Sequence, residues 1–293
     1  MKNTLRTALA SAVLLTCSMS AWADVTVQGQ YLQLGINTGG SLIDFGTMTG
    51  LKFDPTGSGN FSSPIDFLSP GIPFAFYSIG VNGNWATAGG GTPTNPFGTA
   101  TLNLSGAAGS PFVLTMNGSY SGLAFQQVIS YSQASTAIHS TITFQNVSGT
   151  QLNNVVYAAG VDPDQDSNVY GQPWTQNTIS GQGTNASVSA TGLYTGYTLS
   201  MNNTTGWVAT TASITGSWST NPYGLAGAVV NDGNGDNTIN LGYQLGNFAP
   251  GQEKTVGFDY AVTAVPEPET YAMMLAGLGI LGALARRRAK QAV

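Results

Sequence analysis

Alternating or β-branched runs recur along the chain at Val25–Leu34, Pro73–Val81, Phe112–Met116, Phe125–Tyr131, Ile138–Phe144, Val155–Val161, Trp207–Ile214, Ile239–Leu245 and Thr255–Val262. Each is closed by Gly, Asn, Pro or Ser, the pattern of short strands separated by turns. Around Ile138, the residues Ile138, Ser140, Ile142 and Phe144 form a mainly apolar side. His139, Thr141, Thr143 and Gln145 form a polar one, as in a strand with one buried face. No stretch between Asp24 and Ala264 holds a sustained helical period. The pattern predicts an all-β domain over residues 24–264, as one large β-sandwich or two in tandem. One continuous unit is favoured, because no Pro-rich or charged linker interrupts it and residues 89–96 read as a long surface loop. Were there two units, a polar turn near Ala134 and Ser135 is the natural join.

Both ends depart from this pattern. Lys2 and Arg6 precede an apolar stretch, Leu9–Leu15, and the small-x-small sequence Ala21-Trp22-Ala23 before Asp24, which together read as a secretory signal peptide over residues 1–23. Its expected partner is the Sec export machinery. The sole cysteine, Cys17, leaves with that peptide, so the mature domain has no disulfide and no thiol chemistry.

At the other end Pro266-Glu267-Pro268 leads into an uncharged apolar span, Tyr271–Ala285, followed by Arg286, Arg287, Arg288 and Lys290. At about 1.5 Å per residue this span is shorter than a full hydrocarbon core, a marginal transmembrane helix. The cations after it would be held on the cytoplasmic side. Motif, span and basic cluster in this order resemble the C-terminal sorting signal of PEP-CTERM proteins, here over residues 265–293. The resemblance implies recognition at Pro266, Glu267 and Pro268 by an integral-membrane exosortase. It further implies transient inner-membrane anchoring and release towards the cell surface and its exopolysaccharide.

Charge narrows the partners. The whole chain carries a formal charge of −5, but between Asp24 and Ala264 only Lys52 and Lys254 stand against eleven acids, a net −9, with no arginine. Such a domain cannot neutralise a run of phosphates, which excludes nucleic acid, or an anionic membrane face. Its Trp, Tyr, Phe, Val and Ile content argues against disorder.

Two loops hold most of the chemistry. Asp162-Pro163-Asp164-Gln165-Asp166 and Asp232-Gly233-Asn234-Gly235-Asp236 both place oxygen ligands at every second residue. Calcium takes six to eight oxygens, and alternate residues of a curved loop can converge on one ion. Neither loop is an EF-hand, since Pro173 and Tyr243 stand where the twelfth-position Glu belongs. Asp, Asn and Gly also build ordinary turns, so calcium and plain turns both stand, as does one ion shared by the two loops.

Catalysis finds little to use. His139, the sole histidine, lies on the polar face of its strand, and no Gly-x-Ser-x-Gly elbow accompanies it. Trp85, Trp174 and Trp218 lie in loop-like surroundings, and Trp174 follows the first acidic loop closely enough to suggest sugar stacking. Residues 143–166 are weakly similar to β-sandwich modules of bacterial surface adhesins. The expectation is a non-enzymatic, exported surface or matrix protein, structural or adhesive and associated with exopolysaccharide. Calcium-dependent carbohydrate binding is the alternative and a polysaccharide-acting enzyme the third reading.

Overall fold

The structure is a computed structural model describing residues 24–62, 65–97, 101–105, 111–264 and 275–281. The signal-cleavage residues Ala21 and Ala23 lie outside the described residues, as do the sorting residues Pro266, Glu267, Pro268, Arg286, Arg287 and Arg288.

The chain is all-β and forms three antiparallel sheets. A small sheet joins β1 (Val25–Gln28), β2 (Leu32–Ile36) and β3 (Leu51–Phe53). The run Val25–Leu34 is therefore a hairpin broken at Gly29–Tyr31, not one strand. A five-stranded sheet contains β4 (Ala75–Val81), β5 (Asn84–Gly90), β10 (Leu152–Val161), β14 (Thr210–Thr215) and β15 (Thr238–Phe248), in the order β14-β15-β10-β4-β5.

The largest sheet has eight strands. These are β6 (Thr101–Ser105), β7 (Phe112–Tyr120), β8 (Leu123–Tyr131), β9 (Ala137–Asn146), β11 (Thr175–Gly181), β12 (Ser187–Gly192), β13 (Tyr197–Asn203) and β16 (Glu253–Ala264). Their order is β11-β12-β13-β16-β9-β8-β7-β6. Strands β8 and β9 pair from Leu123↔Asn146 to Tyr131↔Ile138, so the turn at Ala134 and Ser135 joins neighbours within one sheet.

Period-2 alternation explains how the five-stranded sheet is buried on both faces. Ala75, Tyr77, Ile79 and Val81 of β4, with Val155, Tyr157, Ala159 and Val161 of β10, point into the main core. There Tyr157 meets Phe144 of the eight-stranded sheet at 5.6 Å between ring centroids, and Tyr243 of its own sheet at 5.9 Å. Each such pair adds about 0.5–1.5 kcal/mol beyond area burial.

Phe76 and Ala158, between those residues, point the other way and pack with Phe74 and Leu225. Leu225 belongs to a short helix, α2 (Pro222–Gly227), started by Pro222 and capped by the Asn221 side chain, which accepts from Tyr223 N. The helix backbone lies so close to β15 that a Cβ on Gly242 would stand 2.5 Å from the Leu225 carbonyl, so only glycine fits there. Another helix, α1 (Ser167–Tyr170), is a single turn. The small sheet adds Val27, Leu32, Leu34 and Leu51 to the main core, and the Tyr131 hydroxyl bonds both the N–H and the carbonyl of Leu32.

Candidate metal centre

The sheet itself brings the two acidic loops together. Strands β10 and β15 are antiparallel neighbours with Val161 opposite Ile239, so the residues following Val161 and those preceding Thr238 emerge at the same end. Asp162, Asp164 and Asp236 each contribute a carboxylate oxygen to a cluster whose atoms all lie within 4.8 Å of one another. Two oxygens bound to one calcium at about 2.4 Å can stand at most about 4.8 Å apart, so the cluster can share an ion.

The first loop is fixed by its backbone. Asp162 N donates to Phe74 O at 3.0 Å and Asp164 N to Phe67 O at 2.7 Å. Asp162 is 2% and Asp164 4% exposed. Opposite them, Gly71 adopts φ +67°, and a Cβ there would stand 3.2 Å from Asp164 Oδ2, so the wall of the site is a residue without a side chain. The second loop is pinned to β11, Thr175 exchanging both backbone hydrogen bonds with Gly235 at 3.0 and 3.1 Å.

Hydrogen bonding separates these carboxylates from the rest. Asp66 is 1% exposed, but its oxygens accept from the N–H groups of Gly50, Leu51, Leu68 and Ser69. Hydrogen bonds led by the Thr56 hydroxyl hold the Asp54 carboxyl well below its usual range. These acids are what turn-forming Asp residues look like. Both oxygens of Asp162, Oδ1 of Asp164 and Oδ1 of Asp236 are buried with no protein partner. A buried, unpartnered carboxylate is costly unless a cation or a proton compensates it.

The same surroundings move their proton affinities. Burial, and then the nearby Asp236 charge, push the Asp162 carboxyl up to about 7. Burial, followed by Asp162 and Asp236, takes Asp164 to about 8. Burial also raises Asp236. Three acids that cannot all ionise comfortably together need compensation, from protons or from a cation.

The other residues singled out in the sequence do different work. Asp166 is fully buried, and its carboxylate accepts from Tyr194 N at 2.8 Å, Thr195 N at 3.1 Å and the Thr195 hydroxyl at 2.6 Å, clamping the β12–β13 turn. Asp232 accepts from Gly216 N at 2.7 Å, and Asn234 accepts from Asn177 N at 2.9 Å. The every-second-residue pattern thus mixes one member of the second loop with two of the first. Trp174, 58% exposed, directly precedes Thr175 and so stands beside the second loop. Trp85 lies in β5 rather than a loop, and Trp218 is partly buried against Phe74 at 5.4 Å. His139 is on the outer side of β9, its Nδ1 2.6 Å from Asp259 Oδ1 across the β9–β16 pair.

Fold and site define an acidic, all-β protein with, among the described residues, one cluster of three carboxylates. Comparison with known proteins adds that the chain carries a PEP-CTERM protein-sorting motif at residues 264–289. The motif implies export, transient membrane anchoring and processing by an exosortase. Among the described residues no helix is long and apolar enough to cross a membrane, and the described part of the apolar tail, residues 275–281, is helical and exposed. No curated protein matches the chain.

Solved structures with a similar course include a putative kojibiose phosphorylase from the human microbiome, at 12% identity and TM-score 0.47 over 88% of this chain and 32% of that one. A galactose mutarotase related enzyme from Lactobacillus acidophilus matches at 11% identity and TM-score 0.44 over 83% of this chain and 98% of that one. A putative aldose 1-epimerase from Escherichia coli K12 matches at 12% identity and TM-score 0.44 over 83% and 99%. The chain spans about a third of the length of the phosphorylase, and likenesses at this level carry no argument about activity.

Proposed function

We propose that this exported protein is a non-catalytic structural or adhesive component of the cell surface, associated with exopolysaccharide, whose β domain is locked by one calcium ion. The observation that carries the reading is the set of unpartnered oxygens on Asp162, Asp164 and Asp236, drawn from two loops about seventy residues apart and meeting within 4.8 Å. These residues would hold the ion, and the ion would supply a cross-link between the ends of β10 and β15. Calcium suits an all-oxygen donor set better than zinc or copper does.

A purely positional role is supported by burial. Asp162 and Asp164 are covered, so a sugar ring cannot approach them as it would the carboxylate pair of a glycosidase. His139 is engaged with Asp259 on an exposed strand face. The delivery half of the reading rests on the sorting motif. Fractionation of cells tests it: the processed chain should be found in the exopolysaccharide fraction and be shed or lost from it on chelation. A chain that stays in the inner-membrane fraction, indifferent to chelator, would refute it.

A further inference from the structure

We propose that Tyr170 and Tyr194 form a stacking platform for a neutral polysaccharide. The two rings lie 5.0 Å apart between centroids at an interplanar angle of 24°. Each gives one face to the other, yet they remain 53% and 60% exposed, so the opposite faces are open to solvent. What distinguishes the pair is that the two rings adjoin, giving one continuous aromatic surface rather than two scattered residues. A sugar ring presents axial C–H groups that pack on such faces, while phenolic hydroxyls bond its hydroxyls.

The pair is held by one buried residue. Asp166 O accepts from Tyr170 N at 2.8 Å, and the Asp166 carboxylate accepts from Tyr194 N. The backbone positions that carry both rings are therefore fixed through one residue, which lowers the cost of bringing the rings together on binding. The backbone of Tyr170 ends α1 and that of Tyr194 sits in the β12–β13 turn, so neither belongs to a sheet face that needs covering.

Charge selects the occupant. The domain from Asp24 to Ala264 has only Lys52 and Lys254 as cations and a net −9, which disfavours uronic or sulfated chains and leaves a neutral one. The platform rests on the proposed surface role for its setting and not on calcium, since the Asp166 carboxylate is held by Tyr194 and Thr195 rather than by the cluster.

Affinity electrophoresis of the exported protein tests this, using gels containing a soluble β-glucan, a galactomannan or alginate. The protein should be retarded by a neutral polymer and not by alginate. Tyr170→Ala and Tyr194→Ala should each weaken that retardation about tenfold, as loss of one stacking contact would. Tyr170→Phe and Tyr194→Phe should keep most of it, which separates stacking from a folding defect. No retardation by either neutral polymer overturns the platform, as does retardation that survives both alanine changes. Binding to phosphatidylcholine vesicles in place of the polymers overturns it too. Retardation that needs both tyrosines supports the platform whether or not chelator is present, while a chain that stays in the inner-membrane fraction refutes the surface reading, so the two fail separately.

Discussion

Asp162→Asn should act in opposite directions with and without calcium. In the metal-free fold the Asp162 carboxyl titrates at about 7, against about 3.9 in an unfolded chain. A raised acid binds more protons folded than unfolded, so it lowers stability as pH rises through the window between those values. The raised affinity costs on the order of 4 kcal/mol at pH 8, where the folded acid is ionised, and about 1.5 kcal/mol at pH 5, where only the unfolded chain's acid is. Asparagine keeps the shape without the charge. Its amide inherits the missing hydrogen-bond partners of Asp162, a penalty of about 1–3 kcal/mol. In chelator at pH 8 the variant should therefore be more stable than the natural protein by about 1–3 kcal/mol, and the advantage should fall away towards pH 5.

Calcium reverses the comparison. At a hundredfold excess over Kd an ion that binds only the folded state adds about 2.7 kcal/mol. For a domain of this size that raises Tm by about 5–10 °C. The natural protein should show this rise and the variant should not. Differential scanning calorimetry at pH 5 and pH 8, with chelator or calcium at matched ionic strength, reads all eight conditions. Matched salt is required because screening alone stabilises a domain at −9. The reasoning fails if Asp162→Asn lowers Tm in chelator at pH 8, or if calcium raises both proteins equally.

Asp166→Asn should destabilise the protein by about 1–3 kcal/mol equally in calcium and in chelator, measured by the same calorimetry, because its carboxylate serves the β12–β13 turn. His139→Gln should change stability by about 0.5 kcal/mol or less in urea denaturation, since its pair with Asp259 is exposed. Intact-mass measurement of protein recovered from the cell surface should give a chain beginning at Asp24 and lacking residues 271–293. Replacing Glu267 should trap the precursor in the membrane, and a full-length tail on surface material would contradict the sorting account.

Much of the sheet was legible because its strands announce themselves. The runs at Phe125–Tyr131, Ile138–Phe144 and Thr255–Val262 appear as β8, β9 and β16. Strands β11, β12 and β13 did not, because their buried residues are sparse or small among Ser, Thr and Asn. In β12 only Val188 and Ala190, and in β13 only Leu199 and Met201, mark the inner face. The helix α2 was hidden for another reason: six residues are too few to show a period, and it forms because Asn221, Pro222 and Gly242 let it dock.

The site was half visible. Alternating Asp residues flagged both loops, but spacing along the chain could not tell ligands from caps. That distinction depends on which N–H groups lie nearby. Asp166 finds Tyr194 and Thr195 across the sheet, Asp232 finds Gly216, and Asp162 finds none. The joining of Asp236 to Asp162 and Asp164 comes from the pairing of β10 with β15, a long-range fact no local pattern contains. The stacking of Tyr170 on Tyr194 was missed for the same reason.

Isothermal titration of the exported protein with calcium tests the central claim most directly, because one ion shared by two loops makes a demand that two separate loops do not. The account predicts one calcium per chain, with binding abolished by Asp164→Ala and abolished equally by Asp236→Ala, while Asp232→Ala leaves it in place. Two ions per chain, no ion at all, or binding that survives the loss of either Asp164 or Asp236 would contradict it.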